Sequence, residues 1–420
     1  MIHASNGSIE RLAAECAADA GDDRSPVETA AGTFYCRAIS DRDEIAALVP
    51  AWRALARSEQ PSSFFSPPEV WQSWAATHGQ PGPILAVHRG ATIVGLMPLM
   101  LRSARRGPTL GVRYDYDPRD ARFLVDSGTR PVSVRQLSPA LSLSATMLGP
   151  VPITLPDCRA EVIGALARGL SCIRNWDVAV LPVREDDLSL WLDALRAGGF
   201  RARVQRIDRG GYSLAPIVPF DEVVSRQSKN FRKNVRRARA AAETGGVRLS
   251  ITHTVPEILA VIQTLAEASW KHHGRPGQDI HVPYSGLQQA FFEDLISSPR
   301  LDADPVMAMA SLDGRAIAAC LSAVHGETLT TLLIFWNGEV ADASPGILIL
   351  GELIDYAHQA GLQAIEYNSN SPFIRYIANE VSMSQNILAF APTLRGQCLA
   401  GLSATAGILR HWTHKPGART

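Results

Sequence analysis

From Thr33 onward the chain alternates short β-branched or aromatic runs with amphipathic stretches of helical period, the pattern of an α/β (α+β) fold in which strands and helices share a core. The same order of pieces occurs twice. In the first half a helix, Glu44 to Arg57, leads through Phe64 to Trp71 to the strand Ile84 to His88, which turns at Arg89-Gly90 into a second strand, Ile93 to Leu101. In the second half the helix Pro256 to Trp270 and the helix Leu287 to Ile296 lead to the strand Val306 to Ser311, which turns at Asp313-Gly314 into Ala316 to Val324. Further on, helix Val162 to Ser171 and strand Trp176 to Pro182 match helix Ile347 to Ala360 and strand Leu362 to Tyr367. Helix Leu188 to Arg196 with strand Arg201 to Gln205 matches Pro372 to Val381 with Gln385 to Phe390. So long a run of matching elements points to internal duplication.

The Pro-rich stretch Ala215 to Pro219 marks the cut between the halves, giving expected domains at 33–215 and 216–395. Residues 1–32 read as a disordered tail without the basic and apolar regions of a secretory signal, and 396–420 as a short C-terminal tail. Lys plus Arg and Asp plus Glu both number 41, so no global field favours nucleic acid or an anionic membrane, and DNA is not an expected partner. The longest largely apolar run, Ala91 to Leu101, is about half of the ~20 residues a bilayer-spanning helix needs, so no transmembrane segment is expected. The 6 cysteines stand far apart, without metal-like spacing, which suits reduced thiols, a cytoplasmic location and no metal.

Three segments carry candidate chemistry. Arg226, Lys229, Arg232, Lys233, Arg236, Arg237 and Arg239 occur with no acidic residue among them. The segment reads as a helix with Ser228 as N-cap, Gly245 as C′ and Phe231, Val235, Ala238 and Ala242 as its buried stripe. Arg232, Arg236 and Arg239 then share a face on which guanidinium groups could hold a phosphate or carboxylate, the alternative being a solvated surface. The second segment is the strand Thr330 to Trp336, a loop, and Ser344-Pro345-Gly346 opening a helix. Ser344 suits the N-cap and Pro345 the first helical position, while Gly346 leaves the first-turn amides open to a pyrophosphate. The third runs from Glu366 through Asn368 and Asn370 to a helix bearing Arg375 and Tyr376. Glu366 could act as a base; Tyr376, with a reference pKa of about 10, could return a proton to a leaving thiolate, unless both residues are structural. His272-His273 does not stand at the spacing of the His-based acyltransferase signatures, and hydrolase-elbow, zincin, P-loop and dinucleotide motifs do not occur.

The strand, Gly turn, long strand, phosphate-ready helix and strand ending in Asn resemble the GCN5-related N-acetyltransferase (GNAT) fold. Ser228 to Ala238, Ala268 to Lys271, Leu312 to Ala319, Ala343 to Gly346 and Gly361 to Glu366 look more closely like the BioF2-like (CelD-type) acetyltransferases and their FemAB relatives, which carry two such domains in tandem. The resemblance implies two tandem GNAT-like domains, with acetyl-CoA or another acyl-CoA held by the second. Its pyrophosphate would lie near Ser344 and Gly346 and its pantetheine along the strand that includes Leu333, Phe335 and Trp336. Glu366 and Tyr376 would be catalytic. Arg232, Arg236, Trp270, Trp336, Asn368, Asn370 and Arg375 would line the acceptor site. Where the family has Asp, a Gly-Arg-Gly-Asp-like loop and Tyr-Lys, this chain has Glu366, Asn368 to Ser371 and Ile374-Arg375. The implied activity is acyl transfer to the nitrogen or oxygen of a small or carbohydrate-like acceptor, in polysaccharide or envelope synthesis. The alternatives are a FemAB-like aminoacyl-tRNA-dependent transferase, with tRNA as partner, and a degenerate binding protein.

Overall fold

The computed structural model describes residues 25–29, 32–58, 63–78, 82–106, 132–139, 152–268, 286–337, 344–367 and 372–413. The first half comprises β1 (Ser25–Thr29), β2 (Gly32–Ile39), α1 (Arg42–Ser58), α2 (Pro68–His78), β3 (Ile84–Arg89), β4 (Thr92–Arg106), β5 (Val132–Pro139), β6 (Ile153–Thr154), α3 (Arg159–Gly169), β7 (Val178–Arg184), α4 (Leu188–Ala197) and β8 (Arg201–Leu214). The second comprises α5 (Phe220–Ser225), α6 (Lys229–Gly245), β9 (Arg248–Thr252), α7 (Val255–Ala268), α8 (Gly286–Ser297), β10 (Asp304–Leu312), β11 (Arg315–His325), β12 (Thr328–Trp336), α9 (Pro345–Gln359), β13 (Ala364–Tyr367), α10 (Pro372–Ile377), β14 (Glu380–Phe390) and α11 (Leu394–Thr413).

The strands form one mixed sheet in the order β1-β2-β3-β4-β5-β7-β14-β8-β13-β12-β11-β10-β9, with β6 on β4. If β2, β3, β4, β5, β7 and β8 are matched to β9, β10, β11, β12, β13 and β14, the order from β2 to β9 reads the same from both ends. The two parallel pairs, β5 with β7 and β12 with β13, are equivalent under that match. At the centre the halves trade strands. β14 lies between β7 and β8, and β8 lies between β14 and β13, so the two units expected on either side of residue 215 are interleaved.

That exchange explains two differences from the expected elements. β8 reaches Leu214 instead of stopping near Gln205, and β14 begins at Glu380, where a helix was expected through Val381. Both extensions are the partners of one long antiparallel ladder, Glu380 opposite Ser213 through Phe390 opposite Arg201. Backbone groups that a local pattern leaves open are satisfied by this distant pairing. Asn379 anchors the junction, its side chain accepting from the Ala215 amide at 3.0 Å and donating to the Ala215 carbonyl at 2.9 Å.

One apolar cluster joins the halves, uniting Trp52 of α1, Trp71 of α2, Ile258 of α7, and Phe291 and Phe292 of α8 with Leu96, Leu321 and Phe335 of the sheet. The opposite face is covered separately by α3 and α4 in the first half and by α5, α6, α9 and α10 in the second. The expected tails are shorter than 1–32 and 396–420. Ser25–Thr29 pairs with β2, and residues 1–24 lie outside the described residues. α11 packs Leu399 and Ala400 against Val134, Val180 and Phe390, because the sheet centre would otherwise expose those side chains.

Candidate functional site

β12 carries an extra residue. Leu333 pairs with Leu321 of β11 and Thr331 with Ser322, leaving Leu332 as a bulge. The parallel ladder to β13 spans only Thr328 to Thr331 opposite Ala364 to Tyr367. Beyond it, Leu333 to Trp336 keep their pairing with β11 but have none with β13 among the described residues. Tyr367 is the last described residue of β13, and the chain that leaves β12 next enters the described structure at the start of α9.

α9 begins with Ser344 at φ 47°, Pro345 in the first turn, and Gly346. Ser344 stands at the expected N-cap position, but its left-handed backbone turns the side chain away and its hydroxyl makes no cap bond. A β-carbon added at Gly346 would meet nothing within 4 Å. α9 is held from below by Ile349, Leu353, Ile354 and Ala357 in the core, and by Gly351, where a β-carbon would stand 2.6 Å from the Phe220 ring of α5. Leu333 and Trp336 are partly buried, whereas Phe335 is in the core.

The equivalent place in the first half is built differently. There β5 stops at Pro139, and β6 takes over the edge of β4: Thr154 pairs with Gly95 as Trp336 pairs with Ala318. The Leu155 amide donates to the Val94 carbonyl as the Asn337 amide does to Ile317. Arg159, in the first turn of α3, then donates to Asp187 past β7 at 2.8 and 2.5 Å and to Thr154 at 3.4 Å. This clasp ties the start of α3 to the segment after β7 and to β6, whereas α9 opens with Ser344 and Pro345.

Glu366 lies in the parallel ladder, opposite Thr330 and one pair before its last described one. Its Oε2 accepts from Thr330 Oγ1 at 3.3 Å. Burial pushes its carboxyl above the usual range, only partly opposed by the Thr330 hydrogen bond and the positive charges of Arg184 and His325. Tyr376 is half exposed rather than packed in the core, its ring 5.5 Å from that of Phe231, which also stacks on Phe373. Arg375 sits over the Tyr212 ring at 5.8 Å. Trp270, Asn368 and Asn370 lie outside the described residues.

α6 bears the expected buried stripe, and Ser228 accepts from the Phe231 amide at 3.3 Å. The left-handed C-terminal residue is Gly246, at φ 71°, one position beyond Gly245, because the helix continues through Gly245. Ala238 and Ala242 pack on Leu348 in the first turn of α9, which sets the basic helix beside the start of α9. The absence of compensating acid is local to the segment only. Arg226 pairs with Glu222, Arg239 with Asp221 at 2.6 Å, and Arg232 donates to the carbonyls of Ser225 and Gln227 at the end of α5. Arg236, Lys229, Lys233 and Arg237 remain exposed and make no ion pair among the described residues. The Arg159–Asp187 clasp and Thr330 escaped the sequence reading because their partners are not local; Thr330 is 36 residues from Glu366.

Comparison with known proteins falls on the same half. Residues 229–370, about a third of the chain, match the family model described as an acetyltransferase (GNAT) domain. The protein is an acyltransferase by class. The crystal structure of FemX is similar at 13% identity and a TM-score of 0.50, over 80% of this chain and 95% of that one. Looser likenesses are a tandem GNAT protein from the clavulanic acid biosynthesis pathway, at 11% identity, TM-score 0.45 and 86% and 99% coverage, and a GCN5-related N-acetyltransferase from Sphaerobacter thermophilus, at 12%, 0.36 and 85% and 95%. No curated protein matches significantly.

Proposed function

We propose that the second half binds an acyl-CoA between β12 and β13 and transfers its acyl group to an amine or hydroxyl of a small or carbohydrate-like acceptor, as a cytoplasmic CelD-type enzyme of polysaccharide or envelope synthesis. The observation that carries this reading is the difference between the two helix starts. Within the matched segment a β-carbon at Gly346, in the first turn of α9, would meet nothing within 4 Å beside the last described β12–β13 pair, whereas in the first half Arg159 at the start of α3 is tied to Asp187 and Thr154. One donor site per chain follows. No helix among the described residues is long and apolar enough to cross a membrane, and the described cysteines are free thiols, which support the location.

In this mechanism the bound thioester supplies an activated carbonyl. The first-turn amides of α9 and the helix dipole favour phosphate at Gly346. Glu366 takes the proton from the attacking amine or hydroxyl, and burial, which raises its pKa, makes it a stronger base than an exposed carboxylate. Tyr376 donates to the leaving thiolate, and Arg236 and Arg375 meet the acceptor. Acetyl-CoA should raise the melting temperature and titrate to one site per chain; no shift with any acyl-CoA would remove the reading. The exposed cations of α6 favour the aminoacyl-tRNA alternative as second reading, and salt-sensitive tRNA binding is its test.

A further inference from the structure

Glu366 belongs to a row. Thr330 of β12, Glu366 of β13, Ser213 of β8 and Glu380 of β14 are successive register partners across four adjacent strands. Register partners project from the same face of a sheet, about 5 Å apart at Cβ. The row divides into two hydrogen bonds, Thr330 to Glu366 at 3.3 Å and Ser213 Oγ to Glu380 Oε2 at 3.4 Å. Exposure rises along it: Thr330 is 2% exposed, Glu366 and Ser213 are intermediate, and Glu380 is exposed. A largely buried carboxyl that gains a proton at every turnover must lose it before the next, and this row is a line of oxygen-bearing side chains from Glu366 to solvent. Its third member, Ser213, comes from the first half of the chain, placed beside β13 only by the strand exchange.

We propose that Ser213 and Glu380 are positioning residues that carry the proton of Glu366 to solvent. The proposal rests on Glu366 being the proton acceptor of the acyl transfer. After attack, the O–H bond of Glu366 breaks as its proton passes to Ser213 Oγ, directly or through one water. The proton already on Ser213 passes along its hydrogen bond to Glu380 Oε2, and Glu380 releases it to bulk water. No electrons change hands, and Glu366 returns to its carboxylate. Arg184 of β7 and His325 of β11 are the groups whose fields reach Glu366, and both favour the carboxylate, which promotes release of its proton.

The test uses the full chain, with free-thiol release from acetyl-CoA as the readout and glucosamine or water alone as acceptor probe. Glu380→Gln and Ser213→Ala should each lower kcat about tenfold with KM for acetyl-CoA unchanged, less than the roughly 10²–10⁴-fold expected from removing the base itself. Ser213→Thr, which keeps the hydroxyl, should restore turnover. Imidazole buffer should rescue Glu380→Gln and flatten its altered pH–rate profile, without rescuing Glu366→Gln. Wild-type kcat and pH profile in both Ser213→Ala and Glu380→Gln, while Glu366→Gln is inactive, would overturn the proposal alone; so would a loss that Ser213→Thr does not restore. Undiminished turnover in Glu366→Gln, or none in the wild type with either probe, would strike the reading of the site beneath it.

Discussion

Gly346→Leu separates binding from folding at the start of α9. The position has no atom within 4 Å of a built β-carbon and is not in the left-handed region, so the β-carbon is accommodated without strain. Replacing glycine in a helix by a good helix former is worth up to about 1 kcal/mol, so the free protein should be unchanged or slightly more stable. The added side chain occupies the space through which a pyrophosphate would reach the first-turn amides. At acetyl-CoA near 100 times the wild-type Kd, the ligand stabilises the wild type by about 2.7 kcal/mol. A tenfold weaker variant at the same concentration gains only about 1.4 kcal/mol, and a hundredfold weaker one about 0.4 kcal/mol. In a chain of 420 residues each kcal/mol moves Tm by roughly 2 °C or less, which calorimetry resolves. Gly401→Ala, at another open glycine far along the sequence in α11, is the control and should leave the ligand-induced shift intact. A wild-type shift in Gly346→Leu would refute the placement of the phosphates.

Glu366→Gln should lower turnover while raising stability at neutral pH. The folded carboxyl titrates above its unfolded value, so the stability tied to it is complete below the unfolded pKa and declines as pH rises through the folded one; the variant's advantage should therefore vanish in acid, as melting curves across pH would show. Arg232→Ala should cost about 0.5–1.5 kcal/mol by releasing the carbonyls at the end of α5, whereas Arg236→Ala should leave denaturation midpoints unchanged and weaken acceptor binding; equal acceptor affinity in Arg236→Ala would remove that side chain from the site. Gly351→Ala pushes a methyl into the Phe220 ring and should destabilise the protein by about 1–3 kcal/mol, measured by urea unfolding, with wild-type stability counting against the close packing of α5 on α9.

The amino-acid order was by itself enough for whatever depends on neighbours a few positions apart. The buried stripe of α6, its Ser228 cap, the glycine hairpins at Gly90 and Gly314 and the duplicated succession of helices and strands all follow from local periodicity and turn chemistry. Even the one-residue error at Gly245 is of this kind, since adjacent glycines offer the helix two places to end. Tertiary structure decided what depends on partners far apart in sequence. It drew Glu380 to Ser384 into a strand against β8, joined β5 and β6 into one interrupted edge, and set acids of α5 beneath the arginines of α6. It also put Ser213 beside Glu366, although they are separated by most of the second half. Backbone pairing and ion pairing are satisfied by proximity in space, and a pattern read along the chain contains no measure of that proximity.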